Sequence, residues 1–228
     1  MSNLSQFLSS GGGKLRYQEF TSSGTFTPSA ALLANGGQCY YELIGGGSSG
    51  ACGTLLVACG GDSGEYKSGV ITVTAPVTVT IGAGGAAVTN TTVAAGNAGS
   101  PSSIGALVTA DGGLAPPVPS GSNNGGGGKG AGGLGYFTTD TTDTLDARGG
   151  IGVNGKAGGG GGTVQSYGAW HMRGSDGGGD GLWSAAGGAT AGSAVANSGA
   201  GGGGVAGSAN SKTSGAGGSG WCRIVWFE

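Results

Sequence analysis

Alternation of apolar and polar residues is confined to the first half of the chain and its last few residues. Val77-Thr78-Val79-Thr80-Ile81 alternates cleanly, as a strand with one buried face should. Val70–Thr74 precedes it, and Ala75-Pro76 predicts the turn between them. Gln38–Ile44 sets Cys39, Tyr41 and Leu43 against Tyr40, Glu42 and Ile44. Leu55–Cys59 is apolar on both faces and predicts a central strand. Leu15–Phe20, Gly24–Thr27 and Ile104–Thr109 are shorter candidates, and Ala30–Asn35, closed by Gly36, is a candidate single turn of helix. The final run, Trp221–Phe227, is apolar on both faces except at Arg223, so it needs strand partners; the N-terminal strands are the obvious ones.

Between these regions the pattern is set by glycine, 60 of 228 residues. Gly121–Gly135 has 9 Gly in 15 residues, Gly149–Gly162 has 9 in 14, Gly174–Gly181 has 5 in 8 and Gly199–Gly220 has 10 in 22. No long helical period survives such a density. Glycine loses more backbone entropy on ordering than any other residue, so aperiodic glycine-rich sequence is usually disordered. The other solution is a bundle of polyproline II-like helices, three residues per turn, with no internal hydrogen bonds. Glycine lets such helices approach closely enough to bond to one another. We take the bundle as the expectation for 121–220. The fold class is then all-β: an antiparallel β frame enclosing a polyglycine II bundle, with almost no α-helix. Residues 1–13 form an N-terminal arm, and 14–228 form the frame and bundle, with strands mainly in 14–110 and 221–228. Pro116-Pro117-Val118-Pro119 is a rigid extended link.

Composition removes several function classes. Charged residues are 9% and the net charge is −2, which gives no electrostatic case for nucleic acid. No run approaches 18 apolar residues, so no membrane insertion is expected, and Met1–Ser10 lacks the pattern of an export signal. The four cysteines contain no CxxC pair. They are expected to be reduced, with Cys39 and Cys222 as small core residues; a Cys52–Cys59 bridge is sterically conceivable but unsupported. Lys129 and Lys156 follow glycine but are not followed by Ser or Thr, so neither completes a phosphate-binding loop. His171 is the only histidine and has no nucleophile-elbow sequence near it. No enzyme, catalytic residue or cofactor is expected. Asp140, Asp143 and Asp146 recur every three residues, a spacing that could line up calcium ligands, but a solvated loop with Asx turns is favoured and no metal site is assigned.

Large side chains in the glycine-rich half fall in short inserts between tracts. If each tract is a rod, the inserts are loops at rod ends, where aromatic residues on a rigid scaffold make binding surfaces. The candidate receptor-binding residues are Tyr136, Phe137, Arg148, Tyr167, Trp170, His171, Arg173 and Trp183. The alternative is that they plug the bundle ends against water. Leu4, Phe7 and Leu8 share a helical spacing ahead of Gly11-Gly12-Gly13, and are the candidate docking residues of an amphipathic peg that binds a partner through a flexible joint; the alternative is a frayed terminus.

These residues carry a resemblance. Phe20-Thr21-Ser22-Ser23-Gly24-Thr25-Phe26-Thr27-Pro28, the strand running into Gly45-Gly46-Gly47, the Val77–Gly85 run and Gly217-Gly218-Ser219-Gly220 before the Ile-Val-Trp-Phe strand resemble, in that order, the glycine-rich domains of phage tail proteins. The glycine-rich half also resembles the adhesins that cap long tail fibres of some T-even-type phages, in which polyglycine II helices present variable loops to a bacterial receptor. The chain departs from those adhesins in lacking a large separate N-terminal attachment domain. The resemblance implies a bacteriophage virion protein, assembled in the host cytoplasm. Its partners would be other virion proteins, through the arm, and a bacterial surface receptor, glycan or outer-membrane protein. A structural or decoration protein of capsid or tail is the alternative. Ice binding by a polyglycine II bundle is a third, disfavoured by the β frame and the arm.

Overall fold

The computed structural model describes residues 13–53, 57–90, 92–119, 157–161, 163–164, 171–172, 178–183, 189–207 and 211–228. One end is a β sandwich. Its first sheet contains β1 (Leu15–Phe20), β3 (Gln38–Ile44), β5 (Tyr66–Thr72) and β16 (Trp221–Phe227), in the order β1-β16-β3-β5 and antiparallel throughout. The second contains β2 (Gly24–Phe26), β6 (Val77–Thr80), β8 (Ser102–Ile104) and β9 (Val108–Ala110), in that order and also antiparallel. The final strand thus lies between two N-terminal strands, as its two-sided apolar pattern demanded. Register sets Phe20, Cys222 and Leu43 side by side on the inner face. They pack with Cys39, Tyr41 and Ile224 against Phe26, Val79, Ile104 and Ala110 of the other sheet. Phe26 meets Trp226 edge-to-face at 5.2 Å. Helix α1 (Ala30–Ala34) adds Leu32 to this core. Ser29 Oγ caps its N-terminus by accepting the Leu32 N–H at 3.1 Å, and Gly36 (φ 86°) takes the left-handed turn that ends it.

Three strand expectations differ in detail. Ile104–Thr109 is two strands, β8 and β9, because Gly105 (φ 51°) turns the chain between them. The strand expected at Val70–Thr74 begins earlier and ends at Thr72. Leu55–Cys59 contributes only β4 (Val57–Ala58); Leu55 and Leu56 lie outside the described residues, and Cys59 opens a rod.

Six sandwich strands continue directly into extended rods. Strand β3 runs into rod 45–53, β6 into 82–88 and β9 into 111–117; rods 59–65, 94–101 and 214–220 run back into β5, β8 and β16. Rod 45–53 shows the three-residue screw directly. Gly45, Ser48 and Ala51 donate their N–H groups to Glu65, Asp62 and Cys59. Gly46, Ser49 and Cys52 donate to Ser100, Asn97 and Ala94, and Gly47 and Gly50 to Gly218 and Gly215. From Gly45 to Cys52 every third residue faces the same neighbour, and among these backbone bonds none falls within the rod. Its carbonyls accept from Gly113, Gly85 and Gly202, on rods 111–117, 82–88 and 199–205. Rod 45–53 therefore has six bonded neighbours.

Rod 199–205 is built the same way. Gly201 and Gly204 donate to Gly158 and Gly161, Gly202 and Val205 to Ser48 and Ala51, and Gly203 to Gly192. It accepts from Gly61 and Gly64, from Gly215 and Gly218, and from Gly179 and Leu182. Its neighbours are rods 157–161, 45–53, 191–195, 59–65, 214–220 and 178–182. Two touching rods in a hexagonal array share two neighbours; here those are 59–65 and 214–220. Every residue of both central rods is buried.

Glycine is needed here for room. A Cβ built on Gly47, Gly50, Gly202 or Gly203 would collide with a carbonyl of a neighbouring rod, at Ala200, Gly203, Gly215 or Asp180 respectively, well inside 3.0 Å. Where a rod carries a side chain, that side chain joins the bonding. Ser48 Oγ accepts the Asp62 N–H at 2.7 Å and Ser49 Oγ accepts that of Asn97 at 2.8 Å. Between rods 59–65 and 111–117, Asp62 Oδ2 accepts the Leu114 N–H at 3.2 Å and Glu65 Oε2 that of Asp111 at 3.0 Å. The lattice is thus not confined to 121–220. Half of its described rods come from residues 45–117.

Candidate functional site

The rods end, away from the sandwich, in short strand pairs. Strand β4 pairs with β10 (Thr163–Val164). Strands β11 (His171–Met172), β12 (Gly181–Trp183) and β14 (Val205–Ala206) form one three-stranded sheet, in that order. Strands β13 (Ala189–Thr190), β15 (Lys212–Thr213) and β7 (Thr89–Asn90) form another. Their base is a small apolar cluster of Cys52, Ala189, Ala191 and Val205, with Val88, Ala94 and Leu182 against it. Cys52 Sγ donates to Val88 O at 3.2 Å. Burial raises its thiol pKa, offset in part by hydrogen bonds from the Ser214 and Asn90 backbones and by the Lys212 charge. Lys212 is itself buried, and its ammonium donates to Gly207 O at 3.2 Å. At the surface the Thr89 and Thr213 hydroxyls bond at 2.9 Å, and Asn90 Oδ1 accepts the Thr92 N–H at 2.9 Å.

Two of the sequence-derived receptor-binding residues lie on neighbouring strands at this tip. His171 stands opposite Leu182 across β11 and β12, and Trp183 follows Leu182. Trp183 in turn pairs with Ala206 of β14, which leads out of central rod 199–205. Tyr136, Phe137, Arg148, Tyr167, Trp170 and Arg173 lie outside the described residues, as do Leu4, Phe7 and Leu8 and the aspartates at 140, 143 and 146. Among the described residues no group of three or more His, Cys, Asp or Glu could hold a metal.

Sequence reasoning missed two features. The first is Asp62, only 2% exposed, whose Oδ1 has no hydrogen-bond partner. Burial pushes its pKa up to about 6, against smaller lowering by the Leu114 and Ser63 N–H groups. Nothing in a lone Asp between glycine tracts signals this. The second is the outer face of the first sandwich sheet. Arg223 there bonds Glu19 at 2.9 Å, lies 3.6 Å from Glu42, and is flanked by the rings of Tyr17 and Trp221 at 5.7 and 5.5 Å. The period-2 pattern of β1 and β16 contained this row, since Glu19, Arg223 and Glu42 are in register.

A family model for the glycine-rich domain matches residues 21–227, which takes in both the sandwich and the lattice. The chain belongs to this family. Within the glycine-rich domain so defined, β1 lies before the first matched residue, although it is fully paired with β16. A comparison with curated proteins finds no match.

Proposed function

We propose that this glycine-rich domain protein is a bacteriophage virion protein, an adhesin of the tail fibre or tail tip that binds a host surface receptor through loops at the far end of its rods. The observation that carries this reading is the separation of roles along the molecule. The sandwich and the start of β1 stand at one end. His171 and Trp183 stand at the other, on strands locked to a rod lattice in which backbone groups are bonded to neighbouring rods. A bonded lattice gives strands β11 and β12 a rigid base, which lowers the ordering cost of binding. The phage assignment rests on the order of sequence motifs given above.

The test uses particles carrying Trp183→Ala or His171→Ala. Loss of an aromatic anchor typically costs more than ~2 kcal/mol, about thirtyfold in affinity. The expected result is adsorption to host cells slowed by that order, with melting temperature and incorporation unchanged. Unfolded protein together with normal adsorption of the surviving particles overturns the reading. The decoration-protein alternative then stands.

A further inference from the structure

Residues 45–117 leave both regions of the molecule unfinished. They give central rod 45–53 four of its six neighbours, rods 59–65, 82–88, 94–101 and 111–117. The other two, 199–205 and 214–220, come from much later in the sequence. Rod 214–220 binds the early and the late rods together. Ser214, Gly217 and Gly220 donate to Val88, Gly85 and Gly82, while Gly215 and Gly218 donate to Gly203 and Ala200. Its carbonyls at Gly215 and Gly218 accept from Gly50 and Gly47, and that of Ala216 accepts from Ala194. The chain then passes straight into β16, which is paired with β1 on one side and β3 on the other. Among the described residues, β16 is the one strand with which β1 pairs. Arg16 and Glu228, bonded at 3.0 Å, are 212 residues apart in sequence.

Each region needs this segment for its own reason. A polyglycine rod makes no bonds within itself, so a rod short of neighbours has little to set against the entropy lost on ordering glycine. In the sandwich, Cys222 and Ile224 are fully buried members of the shared core. Contacts so distant in sequence form only after the entropy of closing a very long loop has been met. We propose that residues 214–228 are a closing strap, and that neither the sandwich nor the lattice holds its fold until the strap has docked. The strap is synthesised after every element it joins. The nascent chain therefore stays open until the strap is free, and a product that stops short of residue 214 is kept out of the folded pool. This concerns the chain by itself and does not rest on the adhesin reading.

The experiment holds the whole 228-residue sequence on the ribosome through a flexible C-terminal extension. A short extension keeps the strap inside the exit tunnel, and a long one frees it. Protease is added, and loss of an N-terminal label is timed. Because cleavage follows the population of the open chain, the short-extension chain is expected to lose its label at least about a hundredfold faster. Equal cleavage of the two, fast or slow, overturns the proposal. The free full chain gives an independent reading by native-state hydrogen exchange in rising denaturant. The amides of Gly217 and Gly218 in the strap should show the same denaturant dependence as those of Gly46 and Gly99, which are bonded within residues 45–117. Strap amides that exchange through a smaller opening, while Gly46 and Gly99 stay protected, also overturn it.

Discussion

The sandwich and the rod lattice solve the same problem by opposite means. In the sandwich, Phe26, Leu43, Ile104 and Ile224 are fully buried, and each removes apolar area worth roughly 1.5–3 kcal/mol from water. Backbone bonding there is ordinary strand pairing. In the lattice the central rods bury almost no large side chain. Their order comes from a hydrogen bond on nearly every peptide group, each worth about 1 kcal/mol net, and from close backbone contact. Glycine brings the largest backbone entropy loss but no side-chain entropy loss. A sandwich core therefore tolerates small changes of shape, whereas a lattice glycine whose Cβ would stand on a neighbouring carbonyl tolerates no added side chain.

The sharpest break in this comparison is Gly47→Val. The added side chain meets the Ala200 carbonyl of the other central rod, with no flexible side chain to move aside. Overpacking of an ordinary core costs 1–3 kcal/mol; here a whole rod must shift, and loss of soluble folded protein is expected. The matched sandwich change is Gly24→Ala, whose Cβ would lie 3.4 Å from the Phe20 ring. It should leave stability within about 1 kcal/mol, because ordinary contact and reduced unfolded-state entropy roughly offset. Thermal unfolding of both variants gives the answer; a stable Gly47→Val protein would sink the lattice account.

Phe26→Ala asks whether the two regions unfold together. The ring is fully buried and contacts Trp226, so truncation should cost about 3–5 kcal/mol. Six strands pass into rods without interruption, so that loss should lower one common transition. Hydrogen exchange should show rods 45–53 and 214–220 losing protection with β3 and β16. A lattice that keeps its protection while the sandwich opens would mean two independent units.

The sandwich was legible in the sequence because its signal is side-chain alternation. Gln38–Ile44 and Trp221–Phe227 appear with the expected bounds, and Cys39 and Cys222 are buried in the core. The lattice was only half legible. Dense glycine drew attention to 121–220, but rods 45–53, 82–88 and 94–101 mix Gly with Ser, Ala and Asn. A rod needs glycine only where its Cβ would meet a neighbouring backbone; Ser48 and Ser49 sit in a central rod because their hydroxyls replace an acceptor. The usable signal was the three-residue spacing of Gly47, Gly50 and Gly53, with Gly61 and Gly64 answering on the next rod. At the candidate site, the placing of His171 and Trp183 at rod ends followed from their position between tracts. Their cross-strand register depended on long-range pairing that no local pattern encodes.

Asp62 gives the lattice a pH dependence that the sandwich core lacks. Its carboxyl has a pKa of about 6 when folded, against 3.8 for an ordinary aspartate. A raised folded pKa means that the folded state binds the proton more tightly. The stabilisation is therefore full below about pH 4 and is lost as pH rises through 6, by up to about 3 kcal/mol. Other carboxyl groups, Glu65 on the same rod and Asp111 on the facing rod, are close in the lattice, so the comparison is with Asp62→Asn rather than with a bare pH scan. Wild-type melting temperature should fall between pH 4.5 and 7.5 by several degrees more than that of Asp62→Asn. An identical fall in the two proteins would remove Asp62 as the cause.

The smallest expected effect lies on the sandwich surface, where charge and aromatic faces meet. Arg223 bonds Glu19 at 2.9 Å, approaches Glu42 at 3.6 Å, and lies beside the Tyr17 and Trp221 rings. Its side chain is about two-fifths exposed, so solvent screens both ion pairs, and each exposed pair is worth only ~0.2–1 kcal/mol. The ring contacts add about 0.5–1 kcal/mol, and the carboxylates left behind repel weakly across the sheet. Arg223→Ala should therefore cost about 1 kcal/mol at low salt. In 1 M salt, where the screening length is about 3 Å, roughly half of that should vanish. A mild lattice change such as Ser49→Ala, which removes the acceptor of the Asn97 N–H, should cost a similar amount with no salt dependence, because its lost bond joins two uncharged groups. Denaturant unfolding of both variants at 0.05 and 1 M salt separates the two regions on this axis. Equal salt responses would mean that the Arg223 row acts through packing alone.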